Sequence, residues 1–482
     1  MLTLPVLLFS LDNTVLGFAV PALSESLEPT SAQLLWIVDV YSFVLAGLLI
    51  TMGNLGDRIG RRRLLLIGAF GFSIASTFAA FAPTANTLIA ARAALGLAGA
   101  TLMPSTLSLI RNIFTDPVQR QTAVAAWAAM FAVGGALGPI VGGFLLEHFW
   151  WGSVFLIGVP VTLVLLVLGR AVLPESRDPN PGPFDLPSSA LSLFTMFPAV
   201  YAMKKTAEDG LSTIVFVATA VSVVAGYTFV TRQRRLKAPM IDMSLFRIPR
   251  FRSAVSANLV ACFGFAGTLF VITQYLQLVV GMSPMRAGVQ LLPGVAASIV
   301  CTVAAPRLAK TFGIFTTVAA GLTVSAIGFV LLSQLTAEGS VPKATLAVAV
   351  LSAGFGLTMT VAVDSIVTLV PKDKAGAGAS VSETGAELGI ALGTAVLGSI
   401  LTAVYRDQLT SVPGVPDFAL VDARETLGAA TITTAELGGE AGSALANAAI
   451  DAFTDGITVA ALVAALVMVA TGWWTARSSR RS

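Results

Sequence analysis

The chain is one apolar run after another, each long enough to cross a bilayer. A helix rises about 1.5 Å per residue, so about 20 predominantly apolar residues span the hydrocarbon core. Such runs fall at 4–23, 34–53, 63–82, 87–110, 121–145, 152–173, 187–203, 211–231, 253–279, 286–306, 314–335, 344–369, 379–404 and 454–476. The run at 187–203 is the weakest, because Pro198 interrupts it. Inside lipid every backbone N–H and C=O must be paired within the chain. The sequence therefore predicts an all-α integral membrane protein with 14 transmembrane helices. Only 11% of the 482 residues are charged, against about 25% in soluble domains.

The loops test that count. With the N-terminus inside, segments at the inner surface hold 22 Lys and Arg. Segments at the outer surface hold 6, namely Lys204, Lys205, Arg286, Lys343, Arg406 and Arg424, and Arg92 falls within a span. The positive-inside rule expects this asymmetry when the alternation is right. Both termini are thereby expected in the cytoplasm. No cleavable leader is expected, since the first residues lack a basic region and the first run contains Asp12; Met1 stands almost against the first span, which leaves room for a native start further upstream. Three blocks follow: residues 1–173 with six helices, 174–250 with two central helices and a basic linker, and 251–482 with six more. Residues 406–453 read as a long outer loop with seven acids against two bases, either a lid at the outer mouth or a solvated loop.

Five carboxylates lie inside the apolar runs: Asp12, Asp39, Asp364, Glu383 and Glu387. An ionised group there is costly and usually faces a polar cavity on an ion or substrate path. Stripping the spans of charge while keeping acids suggests proton-coupled transport. Glu383 and Glu387, four residues apart, share a helix face, whereas Gly385, Gly389 and Gly393 lie on another. One face is built to press on a neighbour and the other presents two acids. Glu383 alternatively sits at the inner headgroups, and Asp364 is either a second proton site or an ordinary residue near the inner end. Arg92 needs an acidic or carbonyl partner. Trp36, Tyr41, Trp127, Met130, Phe131, Phe263 and Tyr275 either line a cavity, where aromatic faces attract cations, or pack in the core. Cys262 and Cys301 read as small apolar fillers. With one histidine, His148, no metal cluster and no catalytic set is visible. Basic residues are scattered, so nucleic acid is no expected partner.

Three strings resemble a known family. Gly53-Asn54-Leu55-Gly56-Asp57-Arg58-Ile59-Gly60-Arg61-Arg62-Arg63 resembles the cytoplasmic signature loop of the major facilitator superfamily. Residues 88–100, around Arg92, resemble its second signature. Gly134-Gly135-Ala136-Leu137-Gly138-Pro139-Ile140-Val141-Gly142-Gly143 resembles its antiporter motif, found in exporters. The strings around Asp12 and Asp39, Trp150–Ile157 and Gln274–Gln277 are similar to the 14-span drug:proton antiporter branch of the QacA and LfrA type.

The resemblance implies a major facilitator fold, two six-helix bundles plus two extra central helices. It implies that Asp12 is the partner of Arg92, since the first and fourth helices are neighbours in that fold. It leaves open whether Arg92 takes part in proton transfer or forms a structural pair. It implies multidrug efflux across a bacterial inner membrane by a monomer without cofactors, protons being the coupling ion. The expected guests are lipophilic cations: quaternary ammonium compounds, dyes and fluoroquinolones. The alternative cargo is a lipid, a siderophore or a self-made metabolite.

Overall fold

The computed structural model describes residues 1–177, 185–236, 239–370 and 375–479. Among them all regular structure is helical. The first six crossings are α1 (Leu4–Leu27), α2 (Ser31–Ile59), α3 (Arg61–Ala80), α4 (Ala85–Ile113), α5 (Pro117–His148), and the pair α6 (Ser153–Leu156) and α7 (Gly158–Val172), which together make one span. Two inserted helices follow, α8 (Leu186–Asp209) and α9 (Thr213–Arg235). The second half holds α10 (Pro249–Gln274), α11 (Pro284–Gln290) and α12 (Leu292–Phe312), α13 (Ile314–Leu332), α14 (Val341–Thr368), α15 (Ala375–Gln408), α16 (Asp417–Ala423), α17 (Leu427–Leu437) and α18 (Gly439–Ser479). Among the described residues, 13 spans are long and apolar enough to cross a membrane, and the 32-residue α5 accounts for a fourteenth.

Local chemistry sets the helix ends. α2 and α4 each open on a capping box, Thr30 with Gln33 and Thr84 with Thr87, which satisfies orphan N–H groups at both starts. α2 gives way to α3 at Gly60, whose φ of 109° suits glycine. A π turn at Tyr275–Val279 ends the first crossing of the second half; Tyr275 there donates to Thr336 O and accepts from Ser340 N.

One face of the molecule carries the ends of α2, α7, α9 and α14 and the starts of α3, α8 and α10. Its loops interlock: Arg62 donates to Leu173 O at 2.9 Å and lies 3.7 Å from Glu175, and Arg232 binds Asp185 at 2.8 Å. Burial disfavours the Asp185 carboxylate, but Arg232 and Ser188 outweigh it and hold its pKa below the usual value. The other face carries the acidic segment. Residues 406–453, expected as one long loop, are mostly helix: the end of α15, the short α16 and α17, and the first 15 residues of the 41-residue α18. Tyr405 donates to Ala423 O, and Glu425 meets both Arg406 and the start of α2. The apolar side chains of Ala419, Leu420, Ala423, Leu427 and Ala430 are buried. Alternating small apolar and acidic residues look like a polar loop in composition but make short amphipathic helices once they lie on the bundle end.

Glycine faces set the helix spacing. Gly134, Gly138 and Gly142 turn to α1 and leave no room for a side chain against Ser10, Thr14 and Val15. Gly389 and Gly393 press on the backbone of α10 at Leu259 and Phe263. Across the halves, Gly143 abuts Met285 and Gly288 abuts Pro139, so α5 and α11 touch backbone to backbone. Large apolar side chains such as Ile67, Phe70, Ile74 and Phe78 of α3 stand exposed, as a lipid-facing surface requires.

Gly389→Ala would drive its methyl carbon into Leu259 O, and is expected to lower stability by about 1–3 kcal/mol. Gly71→Ala, where the nearest atom would be 3.7 Å away, is the control and should stay within about 0.5 kcal/mol. Thermal unfolding of purified protein in detergent measures both.

Candidate functional site

The intramembrane charges converge on α2. Arg92, 1% exposed, reaches from α4 into the gap between α1 and α2. Its Nη1 binds Asp12 Oδ2 at 2.7 Å, and its Nε donates to Ile37 O at 3.1 Å. The guanidinium also sits 4.8 Å from the ring centre of Tyr41. Close approach permits this, for at Gly96 the backbone of α4 lies against Tyr41 O. Asp12 is thus the partner of Arg92 that the sequence anticipated.

Asp39 lies two residues beyond the carbonyl that Arg92 takes, on a different side of α2. It is 2% exposed, and its partner is Lys204 of α8, itself 2% exposed. The ammonium stands 2.9 Å from each carboxylate oxygen, hydrogen-bonded through Oδ1, while Oδ2 makes no hydrogen bond. It also sits 3.9 Å from the ring centre of Trp36, which stacks on Phe197 of α8 with ring centres 5.8 Å apart. This corrects the sequence reading, which placed Lys204 in an outer loop. The apolar run stops at residue 203, but the helix continues to Asp209. Extending it by one turn sets Lys204 on the face of Phe197 and Val200, a signal the sequence contained.

Around that pair, α8 packs into the seam between the two halves. Phe43 of α2, Val200 of α8, and Ala391 and Ala395 of α15 form one buried cluster, with Trp36, Met196, Phe197 and Met203 against it. The inserted helix therefore touches both halves. Nearer the basic face, Ser192 donates to Gly47 O and Thr51 is hydrogen-bonded to Ser189.

Glu387 of α15 is 3% exposed in the same seam, near Ser42 of α2, and its Oε2 has no hydrogen-bond partner. Glu383 is half-buried one turn nearer the basic face. Asp364 is exposed in the last turn before the basic face. The structure thus separates it from the buried acids.

The remaining expected residues divide by packing. Trp36 is half-buried beside the ion pair. Tyr41, Phe263 and Tyr275 are buried among packed helices. Trp127 donates to Thr106, and Met130 packs on the core of the first half. The side chain of Phe131 lies outside the described residues. In the signature loop, Gly53 faces Pro104, Asp57 binds Arg61 at 2.7 Å, Arg58 ends α2 and Gly60 turns beside Glu175. Pro139, with Gly134, Gly138 and Gly142, lies in the stretch of α5 wedged between α1 and α11.

A family model described as Major Facilitator Superfamily matches residues 2–394. The chain belongs to that superfamily. It is 51% identical over 436 residues to the multidrug efflux pump LfrA of Mycolicibacterium smegmatis, covering 90% of this chain and 86% of that one. It is 34% identical to the methyl viologen resistance protein SmvA of Salmonella typhimurium, covering 87% and 85%. It is 33% identical to the tetracenomycin C resistance and export protein of Streptomyces glaucescens, covering 83% and 75%. Its fold is similar to that of a bacterial homolog of the human lysosomal transporter Spinster, with a TM-score of 0.69 at 18% identity over 99% of this chain and 96% of that one. This superfamily member is a multi-pass membrane protein of transporter type, in the exporter branch that its motifs resemble.

Asp12→Ala strands the Arg92 guanidinium in a buried site and should cost about 3–5 kcal/mol, whereas Asp12→Ala combined with Arg92→Met should recover most of that loss. The yield of monodisperse protein and its unfolding temperature in detergent measure this coupling.

Proposed function

We propose that this protein exports lipophilic organic cations from a bacterial cell across the inner membrane in exchange for protons. The observation that carries this reading is the placement of Asp39 and Glu387. Both are buried acids on facing helices, α2 and α15, at the seam where the two halves meet. A carboxylate in such a place holds a proton or a guest's positive charge, and both only poorly. Trp36 and Phe197 add aromatic faces suited to flat cationic rings. The relatives named for multidrug efflux and methyl viologen resistance support cations as cargo, methyl viologen being a dication.

In the cycle, the two six-helix bundles rock about the seam to open first one face and then the other. Open to the cytoplasm, which the basic face and both termini adjoin, the acids release protons and admit the guest. Open to the outside, protons from the more acidic side displace it. The membrane potential supplies about 2.3 kcal/mol per charge per 100 mV, with the pH gradient in addition. Arg92 stays paired with Asp12 while these changes occur. No cofactor takes part, and the protein acts as a monomer. The named exporter of tetracenomycin C supports a second cargo class, a metabolite the cell itself makes.

Dye efflux from inverted vesicles with an imposed pH gradient tests the reading. Asp39→Asn paired with Lys204→Met, which leaves no lone charge, should lower export of ethidium at least about tenfold at matched protein level. Export equal to the parent's would refute cation contact at Asp39. Glu387→Gln should reduce methyl viologen export about tenfold more than ethidium export; equal losses would exclude a direct contact with the second charge.

A further inference from the structure

The inserted helix pair brings an ammonium group into the place where the preceding reading seats a guest. Lys204 Nζ lies on two acceptor oxygens of Asp39 and on the face of Trp36, with Phe197 stacked behind that ring. These are the contacts an aromatic cation or a quaternary ammonium would seek: one carboxylate and one ring face. We propose that Lys204 is a resident substitute for the cargo, which holds the cation site while it is empty and which an organic cation must displace to bind.

Three observations support an exchangeable pair over a fixed strut. First, among the described residues Lys204 is held by one acid and one ring face, whereas Arg92 is held by Asp12, by carbonyls of α2 and by an aromatic face. A buried ion pair with few supporting contacts repays its desolvation only in part, so little is lost in trading one cation for another. Second, Lys204 stands five residues before the end of α8, so its flexible four-carbon stem can carry the ammonium one turn toward water at the acidic face. Third, α8 belongs to neither six-helix half but packs on both α2 and α15. A lysine on this helix responds to the seam rather than to either half alone.

The device solves a problem inherent in any cation exporter. Without a guest or a proton, Asp39 would be a bare charge in the membrane. The lysine neutralises it and sets a threshold, because a weakly binding cation fails to displace a tethered ammonium at high effective concentration. Lys204 is then a specificity-determining residue.

The inference rests on Asp39 being a cation site, and binding measured without any gradient separates the two. Tetraphenylphosphonium binding to purified protein in detergent is the readout, for the parent, Lys204→Met, Lys204→Gln and Lys204→Met combined with Asp39→Asn. Lys204→Met and Lys204→Gln should each bind about tenfold more tightly than the parent, and the double variant should lose that gain. Equal or weaker binding by both single variants, or a gain that survives Asp39→Asn, overturns the substitution role while leaving the exporter reading standing. Absence of binding by parent and variants alike overturns both. Should the single variants fail to fold, the parent still decides. Saturating it with tetraphenylphosphonium should expose Lys204 to a water-soluble amine reagent, read by mass spectrometry, and unchanged protection would refute displacement.

Discussion

The structure depends on pairing the two cations it buries in the apolar layer, Arg92 and Lys204. A lone buried ion costs several kcal/mol, so each must find a partner that geometry can supply. α2 serves as the common support. On one side its carbonyl at Ile37 and its ring at Tyr41 help Asp12 hold Arg92; on another, Asp39 holds Lys204. The two pairs differ in kind. The arginine is tied by several contacts within the first half, while the lysine is tied by one acid and one ring across to an inserted helix. Permanent structure and exchangeable structure thus share one helix, separated by less than a turn.

Small residues make those meetings possible. Without Gly96, α4 could not approach α2 closely enough for a guanidinium to reach a helix carbonyl. With side chains at Gly143 and Gly288, α5 and α11 could not touch, and the halves would not close at the acidic face. Helix association in lipid lacks the hydrophobic drive available in water, so fit between backbones carries much of it. The glycines of the antiporter string therefore hold the first half together along α1 and also present a flat edge to the second half.

Most of the architecture was legible in the sequence, because the bilayer reads hydropathy as directly as an observer does. The spans, their alternation, and the pairing of Asp12 with Arg92 followed from run length, loop charge and the motif resemblance. What escaped depended on tertiary context. Lys204 ended an apolar run and was read as loop, since hydropathy registers where polarity resumes and not where a helix stops. Residues 406–453 carried loop-like composition, and only the bundle end beneath them makes Leu420 and Leu427 into core. Asp364 lies inside an apolar run, yet only the packing of its neighbours shows that its side chain is exposed. For Tyr275 the sequence left cavity and core open; its hydroxyl fastens a turn to the start of α14.

One dimension of the fold carries a mechanical consequence. α18 is 41 residues without a break, about 60 Å of rod against a hydrocarbon layer of about 30 Å. Its first turns pack on α17, whose neighbouring strap at Glu425 ties down the start of α2. A continuous rod has no joint at which to absorb rotation. Any tilt of the second half would therefore swing the canopy above the acidic face in the same stroke, gearing one surface of the membrane to the roof over the other.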